Sequence, residues 1–207
     1  IFEKMQRYLL AKQEESPSNV DVACTLASAN LELSGDEDGY VEFLENFLEE
    51  FDSSLDDKDK ARIYTNIAFC EDYSKKALEY LTKACELKSP FADTYKALGL
   101  YYFSEYEYSK DEKNLFMSRD FFMTAKRLDE SYESAMNYAV SLYELKQYEK
   151  AKTIFLDLLR TYPDRMWLKL CIAYCEVNLG NKDEAMHYIE QIEPDSEDGY
   201  YLTTDDI

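Results

Sequence analysis

Tyr138-Ala139-Val140-Ser141-Leu142-Tyr143-Glu144-Leu145-Lys146 and Ile172-Ala173-Tyr174-Cys175-Glu176-Val177-Asn178-Leu179-Gly180 are two versions of one stretch. Ala139 and Ala173 stand 34 residues apart, as do Lys146 and Gly180, Ala151 and Ala185, and Phe155 and Ile189. Within each copy apolar residues return at three- and four-residue steps, the period of an amphipathic helix. The period breaks at Gln147 and at Gly180-Asn181, so each copy predicts helix–turn–helix. A fixed period of this size marks a repeat array, in which each unit hides its apolar face on its neighbour.

Composition agrees. Apolar residues make up 46% of the 207, enough for a sizeable core and too many for a disordered chain. Gly (5) and Pro (4) are scarce against a usual frequency of roughly one residue in eight, which disfavours the turn-rich sandwiches and barrels. The 43 acids against 23 Lys and Arg leave a net charge of −20, the wrong sign for nucleic acid, whose phosphates must be neutralised by cations. That charge is local: 32–59 holds 12 acids and one base (Lys58), and 193–207 holds six acids and no base. Both are expected to be solvated, or to steer a basic partner. No apolar run reaches the roughly 18 residues that span a bilayer, and no basic-then-apolar leader opens the chain, so no membrane role is expected. Five cysteines, an odd number set among helix formers, read as reduced and mostly buried thiols of a cytoplasmic protein.

The repeated stretch resembles the tetratricopeptide repeat family. The unit from Tyr132 carries the small and aromatic positions of that family as Ala139, Tyr148, Ala151, Phe155 and Pro163; the unit from Met166 carries Ala173, Gly180, Ala185 and Ile189. The unit from Ala92 matches with Tyr95, Leu98, Gly99 and Tyr102 and, after an insertion around Glu105–Lys113, with Phe122 and Ala125. The unit from Ala61 matches with Tyr64, Ile67, Ala68, Ala77, Leu81 and Ala84, and a degenerate unit from Val20 with Leu26, Ala27, Tyr40, Leu44 and Phe47. Small residues at a helix crossing let backbones approach, and the neighbouring aromatic fills the space beside them. The resemblance implies an all-α fold, a right-handed superhelical array of antiparallel helix pairs (an α-solenoid). Residues 1–18 are expected as a capping helix with Phe2, Met5 and Leu9 on one stripe. The array is expected over 19–192, with units starting near 20, 61, 92, 132 and 166, and 193–207 as an acidic tail.

Catalytic patterns are missing from the sequence. The single histidine, His187, has no nucleophile at a local spacing, and there is no Gly-rich phosphate loop, His-Glu-x-x-His or Gly-x-Ser-x-Gly. Neither an enzyme nor a cofactor is expected. Cys171 and Cys175 share a helix face, but a thiolate metal site needs a second pair, so they read as core thiols. Ser34–Glu45 resembles an EF-hand loop, with Asp36 and Asp38 at loop positions 3 and 5, Gly39 at 6 and Glu45 at 12. Ser34 departs from the Asp of position 1, and the stretch coincides with the turn expected between two helices. It reads as a solvated acidic turn, with calcium on Asp36, Asp38 and Glu45 as the alternative.

By the family's register, the first helices of successive units line a concave groove with Phe69, Lys96, Leu100, Phe103, Met136, Val140, Tyr143, Trp167, Leu170 and Tyr174. Members that clamp acidic chaperone tails use two Lys, two Asn and an Arg; only Lys96 and Asn137 fit, and Leu100, Trp167 and Cys171 take the other places. The lining is apolar and aromatic instead. The expectation is a non-catalytic interaction scaffold or adaptor whose groove holds a peptide or helix of another protein, not a small molecule. The alternative is an acidic inhibitor or secretion-chaperone-like protein covering a basic effector. Lys152, on the second-helix side, is expected to be an inert surface position.

Overall fold

Every stretch with apolar residues at three- and four-residue steps is a helix. The computed structural model describes residues 2–71 and 74–192, and these form eleven α-helices with no strand among them. They are α1 (Phe2–Glu15), α2 (Val20–Ser34), α3 (Glu37–Phe51), α4 (Asp57–Cys70), α5 (Lys75–Glu86), α6 (Ala92–Ser109), α7 (Glu112–Leu128), α8 (Tyr132–Glu144), α9 (Tyr148–Thr161), α10 (Met166–Asn178) and α11 (Lys182–Ile189). One 3-10 turn, Asp52–Ser54, joins α3 to α4. The acidic tail and its Tyr200, Tyr201 and Leu202 lie outside the described residues.

The turns are fixed by end chemistry. Side chains of Asn19, Asp36, Asp56, Ser74, Asp111 and Ser131 accept hydrogen bonds from the first-turn amides of α2 to α8, with α6 the exception. Such a cap stabilises a helix by about 1 kcal/mol. At the far ends, Lys88, Lys146 and Gly180 have left-handed backbone. Each closes its helix with a paired set of bonds, as where Lys146 N donates to Tyr143 O (2.8 Å) and Gln147 N to Leu142 O (2.9 Å). The insertion expected around Glu105–Lys113 is no loop. It lengthens α6 to 18 residues and α7 to 17, with only Lys110-Asp111 between them. Nothing in that stretch is Gly or Pro, so no residue stops either helix early.

The chain divides into two compact units that meet in sequence at Tyr101–Tyr102, inside α6. In the first, α1 packs on α2, α2 on α3, both α2 and α3 on α4, and α4 on α5. Leu9, Leu26 and Ala29 are buried together, with Met5, Val22 and Phe43 packed around them. Ala23, Ala27, Ala61 and Ala84 have no exposed surface, as crossings of close helices demand. A buried hydroxyl chain ties the start of α6 to α4: Thr94 Oγ1 is 2.7 Å from both Thr65 Oγ1 and Ser89 Oγ. In the second unit α7 to α11 pack in chain order, each on the next. Its core joins Ala139, Leu142, Ala151, Phe155, Leu158, Leu168, Ile172 and Cys175.

Candidate functional site

Helices α8 and α10 present matching faces. Val140, Tyr143 and Glu144 lie within one turn of α8, and Trp167, Cys171 and Tyr174 follow at helical spacing on α10. Together with Phe155 of α9 they enclose a recess of about 200 Å³. Phe155 and Cys171 are buried and form its floor; Trp167, Tyr143 and Tyr174 are half-buried walls. The Tyr143 ring meets Tyr148 edge-on at 5.3 Å, and its hydroxyl accepts a hydrogen bond from Asn178 Nδ2 at 3.1 Å. The same Nδ2 donates to the Tyr174 main-chain carbonyl at 2.8 Å, which anchors Asn178 on its own helix as it holds the Tyr143 hydroxyl. Burial pushes the Tyr143 phenol up from its ordinary value, against the Asn178 hydrogen bond, and it stays neutral.

The recess is lined by rings, by Val140, by the Glu144 carboxylate and by the Cys171 thiol. Burial raises the Cys171 thiol to about 12, and the neighbouring Cys175 adds to it. Cys175 is likewise pushed up to about 12 by burial and then by Glu176. The nucleophile is the thiolate, and these thiols are protonated at neutral pH. All five cysteines are free. His187 is exposed on α11, its ring 5.9 Å from that of Tyr188. Among the described residues no three His, Cys, Asp or Glu side chains converge to hold a metal ion.

Val140, Tyr143, Trp167 and Tyr174 are brought together. Phe69 and Leu100 belong to the first unit, where they line a separate hollow of about 180 Å³ with Ala68, Ala77, Leu81, Ala97 and Tyr101. Phe69 is 56% exposed there. Lys96 Nζ is held 2.8 Å from Asp93 Oδ1 and is largely covered. Phe103 rests against Tyr106, ring centres 6.3 Å apart. Met136 packs on the second core, and Leu170, 4% exposed, offers almost no surface.

The Ser34–Glu45 stretch is a helix junction. Ser34 ends α2, Gly35 turns left-handed, Asp36 caps α3, and residues 37–45 are already helical. Gly39 sits in the first turn of α3, where a Cβ would lie 2.4 Å from the Asp36 carboxylate; the missing side chain makes room for the cap. Asp36 Oδ1 accepts from Gly39 N at 2.9 Å, Asp38 is exposed, and Glu45 accepts from the Tyr80 hydroxyl.

Sequence reasoning missed Glu144 and Phe155 as lining residues, and it misplaced Lys152. Lys152 Nζ lies 3.0 Å from Glu149 Oε2 and 3.3 Å from Glu176 Oε1, with side chains 16% exposed for Lys152 and 9% for Glu176. Asn181 Nδ2 donates to the other Glu176 oxygen at 2.8 Å. Lys152 is therefore a partner of a buried carboxylate behind the recess, not an inert surface position. The available signal was Glu176 itself, a lone acid within the apolar run of α10.

Residues 133–165 match the family model of the tetratricopeptide repeat. The crystal structure of YrrB, a TPR protein with an unusual peptide-binding site, matches with a TM-score of 0.70 and 16% identity, over 90% of this chain and 93% of that one. A crystal structure of the MamA protein matches with a TM-score of 0.66 and 17% identity over 89% and 96%. A second MamA structure matches at 0.65 and 15% over 97% and 96%. No curated protein matches the chain in sequence. The chain carries a tetratricopeptide repeat and has the all-α, paired-helix fold of tetratricopeptide-repeat proteins. No described helix is long and apolar enough to cross a membrane.

Proposed function

We propose that this protein is a non-catalytic adaptor that holds an apolar or amphipathic segment of a partner protein in the recess between α8 and α10. The observation that carries this reading is the convergence of Tyr143, Trp167 and Tyr174 around a hollow with a buried aromatic floor. Large aromatics at the rim of a water-poor pocket are the usual carriers of binding energy. The volume, about 200 Å³, falls below the roughly 300–1,000 Å³ of small-molecule sites and suits one or two anchoring side chains. YrrB, of the same fold, has an unusual peptide-binding site, which supports a peptide as the ligand class here. Free thiols buried in the core suit work in the reducing cytoplasm.

Trp167 is the chain's single tryptophan, so the recess carries its own reporter. A partner segment isolated by affinity capture should shift Trp167 emission to shorter wavelength as its anchor displaces water. Tyr174→Ala should then weaken binding by roughly 1–3 kcal/mol, a factor of about 5 to 150. Its melting temperature is measured alongside, with Asp164→Ala as the exposed control. Emission that stays unchanged on saturation, with wild-type affinity in Tyr174→Ala, would overturn the reading.

A further inference from the structure

The chain leaves α11 beside the helix that carries the recess. Lys169 Nζ, on the first turn of α10, donates to the Gln191 main-chain oxygen at 3.1 Å, and Ile192 N closes a turn on Ile189 O at 2.9 Å. Residues 193–207 therefore start close to the level of Trp167 but on the other side of α10, since two residues of helix turn the face by about 200°. Passing half-way round a helix about 10–12 Å across takes about 16–19 Å. The seven residues from Glu193 to Gly199 span up to about 23–25 Å when extended. Next come Tyr200, Tyr201 and Leu202, and residues 199–204 carry no charge. The acids lie outside that window: Glu193, Asp195, Glu197 and Asp198 before it, Asp205 and Asp206 after it. The start of α10 suits the first four. Arg165 and Lys169 form no ion pair among the described residues, and Arg165 is exposed, its guanidinium 5.7 Å from the centre of the Tyr132 ring. Residues 164–169 thus set two cations against one acid, Asp164, at the positive end of the α10 dipole.

We propose that residues 193–207 pass over α10 and cover the α8–α10 recess of their own chain, so that a partner segment binds only by displacing them. Tyr200, Tyr201 and Leu202 rest against Trp167 and Tyr174, and the acids of 193–198 lie beside Arg165 and Lys169. This regulation rests on the recess being a peptide site. The carboxylate of the recess, Glu144, would repel an acid, and the uncharged window is the part that meets it. A tyrosine hydroxyl of the tail can donate to Glu144, as the Tyr80 hydroxyl does to Glu45. Tethering selects this occupant. A linker of this length holds the tail at an effective concentration of about 1 mM, so a contact too weak for a free peptide still lowers a competitor's apparent affinity by the covered fraction. The same tail from a second copy lacks that advantage and brings a net charge of −20 against −20.

The test compares the whole chain with a whole-chain variant carrying Tyr200→Ser, Tyr201→Ser and Leu202→Ser, read by Trp167 emission. The probe is a synthetic peptide of residues 193–207, blocked at both ends, which contains no tryptophan. The variant should emit at longer wavelength than the wild type, because the cover is gone. Peptide titrated into the variant up to about 1 mM, the tethered concentration, should bring the emission back, and a scramble of equal composition should not. The wild type should bind the peptide about threefold more weakly than the variant does. Tyr174→Ala added to the variant should weaken the peptide about fivefold or more, with the melting temperature measured alongside. Identical emission from the two chains, no return of emission with peptide, equal binding of the scramble, or peptide binding indifferent to Tyr174→Ala would each overturn the proposal. Equal peptide affinity for both chains, with a Trp167 shift that Tyr174→Ala weakens, would overturn the tail's role and leave the recess as a peptide site. A captured partner segment that binds both chains with no Trp167 shift and no loss in Tyr174→Ala would overturn both readings.

Discussion

Lys146 and Gly180 stand at the same place in consecutive helix pairs, and both have left-handed backbone, with φ of 59° and 85°. The sequence register aligned them, and the shared geometry explains why one of the two is glycine. At Gly180 a Cβ would meet nothing within 4 Å, so the preference there comes from the backbone and not from crowding. All three described non-glycine residues of this kind, Lys88, Lys110 and Lys146, are lysines at helix C-terminal ends, where a cation offsets part of the strain by facing the negative end of the helix. The helix-dipole benefit is a few tenths of a kcal/mol, and the left-handed cost is about 1–2. Lys146→Gly should therefore stabilise the protein by about 0.5–1 kcal/mol, read as a higher urea midpoint at unchanged slope. A lower midpoint would mean that the lysine side chain contributes more than the backbone strain costs.

At the scale of elements, α9 and α10 are joined by more than apolar packing. The Glu176 carboxylate is buried against Lys152 and Asn181, tying α9, α10 and the turn after α10 together. Burial works to lower the Lys152 ammonium's pKa, and its hydrogen bonds to Glu149 and Glu176 outweigh that and raise it. Removing one partner of a buried pair leaves the other charge desolvated, which costs more than the pair itself stabilises. Lys152→Ala should destabilise the protein by about 1–3 kcal/mol, and pairing it with Glu176→Gln should recover part of that loss, both read by urea denaturation. Two independent, additive losses would show that the pair is not coupled. The helix pairs themselves were legible, because Ala139, Ala151, Ala173 and Ala185 repeat in register and all are buried. The lengthened α6 and α7 were half legible: Glu105–Lys113 lacks a breaker, but a register comparison reads any extra residues as an insertion.

For the whole molecule, several buried acids are held neutral by the fold. Cys171, Cys175 and Tyr40 are each pushed up to about 12, chiefly by burial, from ordinary values of 9.0 and 10.0. A group whose folded pKa is raised contributes its stability in full below the unfolded pKa, and loses it as pH rises toward the folded one. Stability should thus be flat up to about pH 9 and fall between about pH 9 and 12, as the unfolded chain ionises first. Urea midpoints measured across that range would show it, and a Cys171→Ala, Cys175→Ala variant should lose stability less steeply. An unchanged slope in that variant would mean the thiols do not carry the effect.

The chain's own order of residues determined the helices, their pairing and the family of fold. Those follow from local periodicity, end-capping residues and small residues at crossings, all properties of neighbours in sequence or of a fixed repeat. It also pointed to Val140, Tyr143, Trp167 and Tyr174, because a register on one face of a helix carries across units. Only the tertiary structure decided which of those faces stay open. Leu170 shares α10 with Trp167 and Tyr174 yet is covered, Phe155 reaches the recess floor from α9, and Lys152 turns inward to a buried carboxylate. Periodicity states which residues share a face of one helix; whether that face meets water, a neighbour or a cleft depends on how closely the next helix packs, and no single helix encodes that distance.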